Sequence, residues 1–424
     1  MRRLIRVFGC GLVLMSPVSA AAALCVALVG GTVVLPGGAE STATVVMVDG
    51  RVAGVGADVD VPADCERIDV VGRVVTPGLV DVHTHLGLVE VSQEKQSVDH
   101  SNARGGEAEA LAVTPSFQVA DAYNPRSTVV PVTRTGGVTS VVTLPQGGVV
   151  SGQSAWVDLA GDTQAEALVR RAVAMHAHLS GSELSRATVL HRLRTLFAES
   201  QAYSERRAAW EGARSRDWLF SHVELEAFSP VLRRELPLVI RANRASDIEA
   251  ALRLATEYSF RLVIAGGAEA LLVAPDLARA GVPVIVDPLL FRVRSFDDVY
   301  ARPDNAARLA EAGVTVLISA FASHNIRTLR QAVGNAIREG LPRALAFRAV
   351  SEGPADAFGL ADYGRIQVGA VANVVVWSGD PFELSTHAEA VYIGGQRRSL
   401  TTRQSRLRDR YLHLPGSPTL LPLP

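Results

Sequence analysis

Between Thr76 and Leu360, eight short apolar runs are separated by longer, arginine-rich stretches of helical period, and this alternation limits the folds open to the chain. The runs are LVDVHTH, VTSVVTL, SAWVDLA, AVAMHAHL, PLVIRAN, RLVIAGG, VPVIVDP and VTVLISA. Segments such as TQAEALVRRAV, VLHRLRTLFAESQAYSERRAAWEG, SDIEAALRLATEY and NIRTLRQAVGNAIREG lie between or after them. Strand runs alternating with helices call for βα units around a parallel sheet. Eight of them predict an α/β fold, a (β/α)8 TIM-like barrel over residues 76–360, with its working residues at the C-terminal ends of the strands.

The flanks follow a different pattern. Residues 24–75 hold short β-rich runs (CVALVGGTVV, TATVVMV, RVAGVGA, ERIDVVGRVV) broken by PGG and DG, with no helical period. A second β-rich pattern within residues 361–400, GRIQVGAVANVVVWSGDPFELSTHAEAVYIGGQRRSL, reads as the missing half of that unit. The two segments are expected to form one composite β-sandwich, and residues 401–424, ending in PGSPTLLPLP, a loose tail.

Residues 1–23 have the order of a secretory signal peptide: MRRLIR is basic, VFGCGLVLM apolar, and SPVSAAAA a breaker followed by small residues. The alternative is an uncleaved anchor, since residues 7–29 carry no charge. Pro17 and the alanines favour cleavage between Ala20 and Leu24. The mature chain is then expected to be exported, periplasmic or secreted, without stable membrane insertion. A formal net charge of -1 gives no reason to expect nucleic acid, so the expected partner is a small-molecule substrate, with assembly into a homo-oligomer left open.

The chemistry begins at Val75–Leu88, VTPGLVDVHTHLGL. On a strand, His83 and His85 share a face, and two imidazoles converging on one point are half of a metal site. This string resembles the opening metal motif of the amidohydrolase superfamily of metal-dependent hydrolases. GGTVV and VDGRVAGVG before it, and GRIQVGAVANVVVWSGDP after it, resemble the two parts of that superfamily's β-sandwich. The likeness covers nearly the whole mature chain and is nearest the imidazolonepropionase-like branch.

The resemblance implies two histidines on strand 1, a lysine carbamate or glutamate on strand 4, histidines on strands 5 and 6, and an aspartate on strand 8. Only the first pair carries over, to His83 and His85. Strand 5 offers Arg241 where a histidine is expected, and strand 6 offers glycines, with Glu269 the nearest donor. Strand 8 and its loop, GVTVLISAFASHNIR, hold no acidic residue to accept a proton from a metal-bound water. Lys95, the only lysine, follows strand 1, so no carbamate forms on strand 4. A guanidinium has no acceptor lone pair and repels a cation, so Arg241 is expected to face an anionic substrate group.

Other histidines offer a substitute set. His176 and His178 share a face of strand 4, and His324 lies in the loop after strand 8. His83, His85, His176 and His324 would then hold one divalent ion, zinc by the all-nitrogen donor set. The alternatives are that His176 and His178 face helices and that His324 bonds loop carbonyls. The loop from Gly87 to Ser127 is long enough to cover the barrel mouth, and its Glu90, Asp99 and His100 are candidate acid–base groups. PQGGVVSGQSAWVDL, after strand 2, can present backbone amides at the same rim. In the sandwich that the resemblance implies, Cys25 and Cys65 are neighbours able to form a disulfide after export.

Two functions fit. The first is a metal-dependent hydrolase acting on a carbon–nitrogen bond other than a peptide bond, such as a cyclic amide. The second is a noncatalytic amidohydrolase-like protein that binds a ligand or serves as a scaffold.

Overall fold

The computed structural model describes residues 24–101, 110–179, 184–211, 218–290 and 292–412. The expected signal peptide and the PGSPTLLPLP end lie outside the described residues. Within the expected tail, Arg403–Leu412 forms a helix with no buried residue.

One eight-stranded sheet is built from both ends of the chain. Its early strands are β1 (Cys25–Val34), β2 (Glu40–Val48), β3 (Arg51–Gly56), β4 (Glu66–Asp69) and β5 (Val74–Pro77). The late strands β14 (Val374–Trp377), β15 (Ala388–Ile393) and β16 (Gln396–Arg398) complete it. The join is β5 against β14, antiparallel, with Val75 opposite Val376. Alternate residues, among them Val26, Leu28, Val45, Met47, Val374 and Tyr392, make an apolar core of their own. Cys25 and Cys65 are joined by a disulfide, with a Cα–Cα distance of 4.6 Å.

The second sheet contains all eight apolar runs, in the order β6 (Leu79–Thr84), β7 (Val138–Thr143), β8 (Val150–Asp158), β9 (Leu168–His178), β10 (Leu238–Ala242), β11 (Leu262–Gly266), β12 (Val284–Val286) and β13 (Val316–Ile318). It curls into a nearly closed barrel. Leu238, Ile240, Ile264 and Val284 pack outward, in the core that includes the surrounding helices, whereas Val80, Val82, Trp156, Val239 and Leu317 fill the inside.

Two expectations are corrected. The barrel is not wholly parallel, because β8 runs antiparallel to both β7 and β9. The links on either side of β8 are too short for a crossover, which takes a dozen residues or more, so they close as hairpins. TQAEALVRRAV was expected to be helical, but only Gln164–Ala167 is, started by a capping box between Thr163 and Glu166. From Leu168 the segment pairs with β8 instead. Reversal of β8 puts its beginning, Ser151 to Ser154, at the end of the barrel where the parallel strands finish.

No ladder joins the edge strands β13 and β6. Asp81 bridges them. Its carboxylate accepts from the Ser319 hydroxyl (2.5 Å), the Ala320 amide (2.9 Å) and the His83 amide (3.0 Å), and the residue is fully buried. The floor of the barrel is also polar: Asp158 accepts from Ser140 (2.6 Å), Asn373 (3.2 Å) and Tyr363 (3.3 Å). Asn373 in turn accepts from the Gly394 amide at 2.8 Å, which ties the floor to the sandwich.

Removing a buried acceptor strands its donors. Asp81→Ala is therefore expected to cost about 2–4 kcal/mol, seen as a lower urea midpoint. An unchanged midpoint would show that the seam is held elsewhere.

Candidate active site at the barrel mouth

Strand alternation sets which side chains reach the mouth. Leu238, Ile240 and Ala242 of β10 pack outward, so Arg241 projects inward. In β9, Met175 and Ala177 pack outward, so His176 and His178 also face in. The alternative that these two histidines face helices is thereby removed. His83, at the end of β6, lies 4.4 Å from the Phe321 ring, centroid to centroid.

These side chains share one electrostatic environment. Burial holds His83 well below the usual imidazole range, and Arg241, His176, His85 and His178 push it further down. Burial and then His100 lower His85 to about 4. His176 and His178 are each lowered to about 3, mainly by burial, with His178 next for the former and Arg241 for the latter. The cluster is therefore neutral near pH 7.

One ring nitrogen of each of His85, His176, His178 and His324 is already engaged. His176 Nε2 is 2.8 Å from Ser154 Oγ and His178 Nε2 is 2.9 Å from Ser151 Oγ. His85 Nδ1 donates to the Leu144 carbonyl at 2.8 Å, and its ring packs on His100 at 4.4 Å between centroids. His324 is not part of the cluster: its Nε2 donates to the Glu90 carbonyl at 3.0 Å, the loop-carbonyl alternative raised by the sequence. Glu269 is also committed elsewhere, accepting from the Ala245 amide at the start of the helix Ala245–Tyr258.

Does this donor set suit the divalent ion that the fold family implies? Among the described residues, no three His, Cys, Asp or Glu side chains are grouped to hold a metal. Arg241 adds a fixed positive charge beside His83 and His178. With two imidazoles bonded to serines and His324 drawn away, the residues present do not fit a resident ion, and no chemical step is derived through one.

Arg241 is the electrostatic anomaly of the site. It is largely buried, its pKa is lowered by desolvation alone, and no side-chain partner is found for it among the described residues. An unpaired, desolvated guanidinium is costly unless an anion meets it. Three groups were passed over in the sequence. Ser151 and Ser154 were visible only as part of a glycine- and serine-rich string. Asp287 follows β12, and its carboxyl is raised mainly by burial.

The comparisons with known proteins agree with this architecture. The family model described as "Amidohydrolase family" matches residues 310–398. "Amidohydrolase tasK" of Hapsidospora irregularis is 24% identical over 388 residues, 79% of this chain but 37% of that protein. An imidazolonepropionase of Vibrio cholerae is 44% identical over 43 residues, 10% of this chain and 11% of the enzyme. The chain thus spans only a minor part of the curated relatives it matches. An amidohydrolase structure from Thermotoga maritima MSB8 superposes with a TM-score of 0.80 at 26% identity, covering 88% of this chain and 99% of the other. The matching family model and the structural neighbour are both of the amidohydrolase superfamily. The mouth of this chain departs from the ligand pattern expected for that superfamily at the arginine of β10 and around the inward histidines of β9.

Buried neutral histidines make this barrel acid-sensitive. In the unfolded chain each takes up a proton near pH 6.5, whereas folded His85, His176 and His178 wait until about 4, 3 and 3. Their contribution to stability is therefore full above 6.5 and lost as pH falls toward those values. Asp158, raised to about 6 by burial, opposes the trend, as do Asp81 and Asp287, which burial also raises. Thermal midpoints measured from pH 7 down to 4 should fall, and the fall should be shallower in a His176→Gln, His178→Gln double variant. Equal slopes would contradict the assignment.

Proposed function

We propose that the chain hydrolyses a carbon–nitrogen bond other than a peptide bond, in a small molecule whose anionic group is held by Arg241. The reading rests on one observation above the rest: a largely buried guanidinium without a counter-ion among the described residues, facing into the mouth of the barrel. Cyclic amides carrying a carboxylate are the first substrates to test. The neutral imidazoles nearby can accept hydrogen bonds or protons, and anion binding at Arg241 would offset part of the charge that depresses His83 and His178.

Family resemblance implies a divalent ion, zinc first, with His83 and His85 as part of its donor set, whereas the donors at the mouth do not fit one. The test is therefore run both with chelator and with added zinc. Carboxylated lactams and their uncharged amides are offered to the wild type and to Arg241→Ala and Arg241→Lys. We expect turnover of the carboxylated compounds, a KM increase of about tenfold or more in Arg241→Ala, and partial recovery in Arg241→Lys. Binding of the carboxylated compounds without turnover under either metal condition would favour the noncatalytic reading, for which the departures from the expected metal ligands speak. Indifference of the wild type to the carboxylate would overturn both.

We further propose export to an oxidising compartment. The basic and apolar start of the sequence and the Cys25–Cys65 bridge support it. Among the described residues, no helix is long and apolar enough to cross a membrane. Protein recovered from a secreting host should have an intact mass lacking residues up to between Ala20 and Leu24. A mass that retains them would end the proposal.

A further inference from the structure

A cleft of about 750 Å³ opens at the end of the barrel opposite the histidines, where β10 to β13 begin. Pro237, Leu262, Pro283 and Thr315 line it from the strand starts. Leu252, Thr256 and Ser259 come from the helix Ala245–Tyr258 and the residue after it, and Asp356 and Ala357 from the helix Glu352–Ala357. Its size falls within the range of small-molecule sites, and none of the groups at the barrel mouth takes part in it.

The charges around this cleft do not balance. Arg348 is paired with Glu352 at 2.7 Å, and Asp356 with Arg365 at 2.8 Å. Arg261 donates to the Ala357 carbonyl at 2.9 Å and has no carboxylate partner among the described residues. Arg234 has no side-chain partner among the described residues and lines the same cleft. It also sits at φ 61°, just past the helix His222–Leu232, closing that helix with its amide on the Val231 carbonyl at 3.1 Å. Glycine adopts this left-handed conformation far more easily, so an arginine is held there against the backbone's own preference. Leu252, Phe260 and Val282 supply an apolar wall.

We propose that this cleft is a second small-molecule site, which binds an amphiphilic monocarboxylate, its head facing Arg234 and Arg261 and its apolar body lying on the Leu252, Phe260 and Val282 wall. These two guanidinium groups supply the charge and hydrogen-bond donors that a carboxylate requires. The apolar wall favours a chain or ring over a free inorganic anion. Because the cleft is at the far end of the barrel, this ligand and one at the mouth do not compete for space.

Octanoate is the probe, titrated calorimetrically into the full chain, with octanamide as its uncharged analogue. Arg234→Gly removes the guanidinium while easing the backbone, so it is expected to fold at least as well as the wild type. Arg261→Gln removes the second charge. We expect octanoate to bind the wild type, octanamide to bind about tenfold more weakly or worse, and each substitution to weaken octanoate by about tenfold. Arg241→Ala, at the mouth, should leave octanoate affinity unchanged. The proposal is overturned if octanoate does not bind, if both cleft variants bind it as the wild type does, or if Arg241→Ala alone abolishes binding.

Discussion

Rolling eight strands into a barrel leaves one seam, and here a buried carboxylate closes it. Asp81 lies on β6, and two of the groups it binds, Ser319 and the Ala320 amide, follow directly after β13. The same carboxylate takes the amide of His83, so the group that closes the sheet also fixes the backbone that carries the mouth's first histidine. Desolvation raises the Asp81 pKa, and its three hydrogen bonds oppose that rise by favouring the charged form. Architecture and site are thus joined at one residue.

The reversed strand has a comparable reach. In a wholly parallel barrel, the beginning of the third strand would lie at the floor. Because β8 runs the other way, its beginning is at the mouth, where Ser151 and Ser154 meet His178 and His176. Its end, Asp158, then reaches the floor and joins Tyr363 and Asn373, which connect the barrel to the sandwich. One change of direction supplies both a pair of hydroxyls for the site and a polar anchor for the base.

Neutral imidazoles surround a guanidinium that has no side-chain partner among the described residues, the arrangement on which the proposed anion binding rests. Burial keeps the histidines uncharged, and Arg241 reinforces this for His83, His85 and His178. A metal ion would meet the same positive charge, and Asp81, the carboxylate nearest His83 in the chain, is already engaged by three donors. The departures at Arg241, at the strand 6 glycines and at the acid-free strand 8 loop therefore favour an anionic partner over a cationic one.

Much of this was legible in the sequence, because apolar periodicity reports which residues need burial. The eight runs at 79–318 became the eight barrel strands, and the two β-rich flanks became one sheet. Alternation put His176 and His178 on one face without saying which, and Arg241 was located by the resemblance; packing in the sheet turned all three inward. What the sequence could not carry was strand direction, since VSGQSAWVD has the same apolar pattern read either way and only the short links force it to turn back. Nor could it carry contacts between segments far apart in the chain. That His324 bonds the Glu90 carbonyl, that Asp81 reaches Ser319, and that Arg234 and Arg261 share a cleft depend on how whole elements pack. Local sequence determined most of the strands and helices and which side chains shared a face; tertiary packing decided which face turned inward and which side chains met, because hydrogen bonds and ion pairs depend on distances that periodicity does not encode.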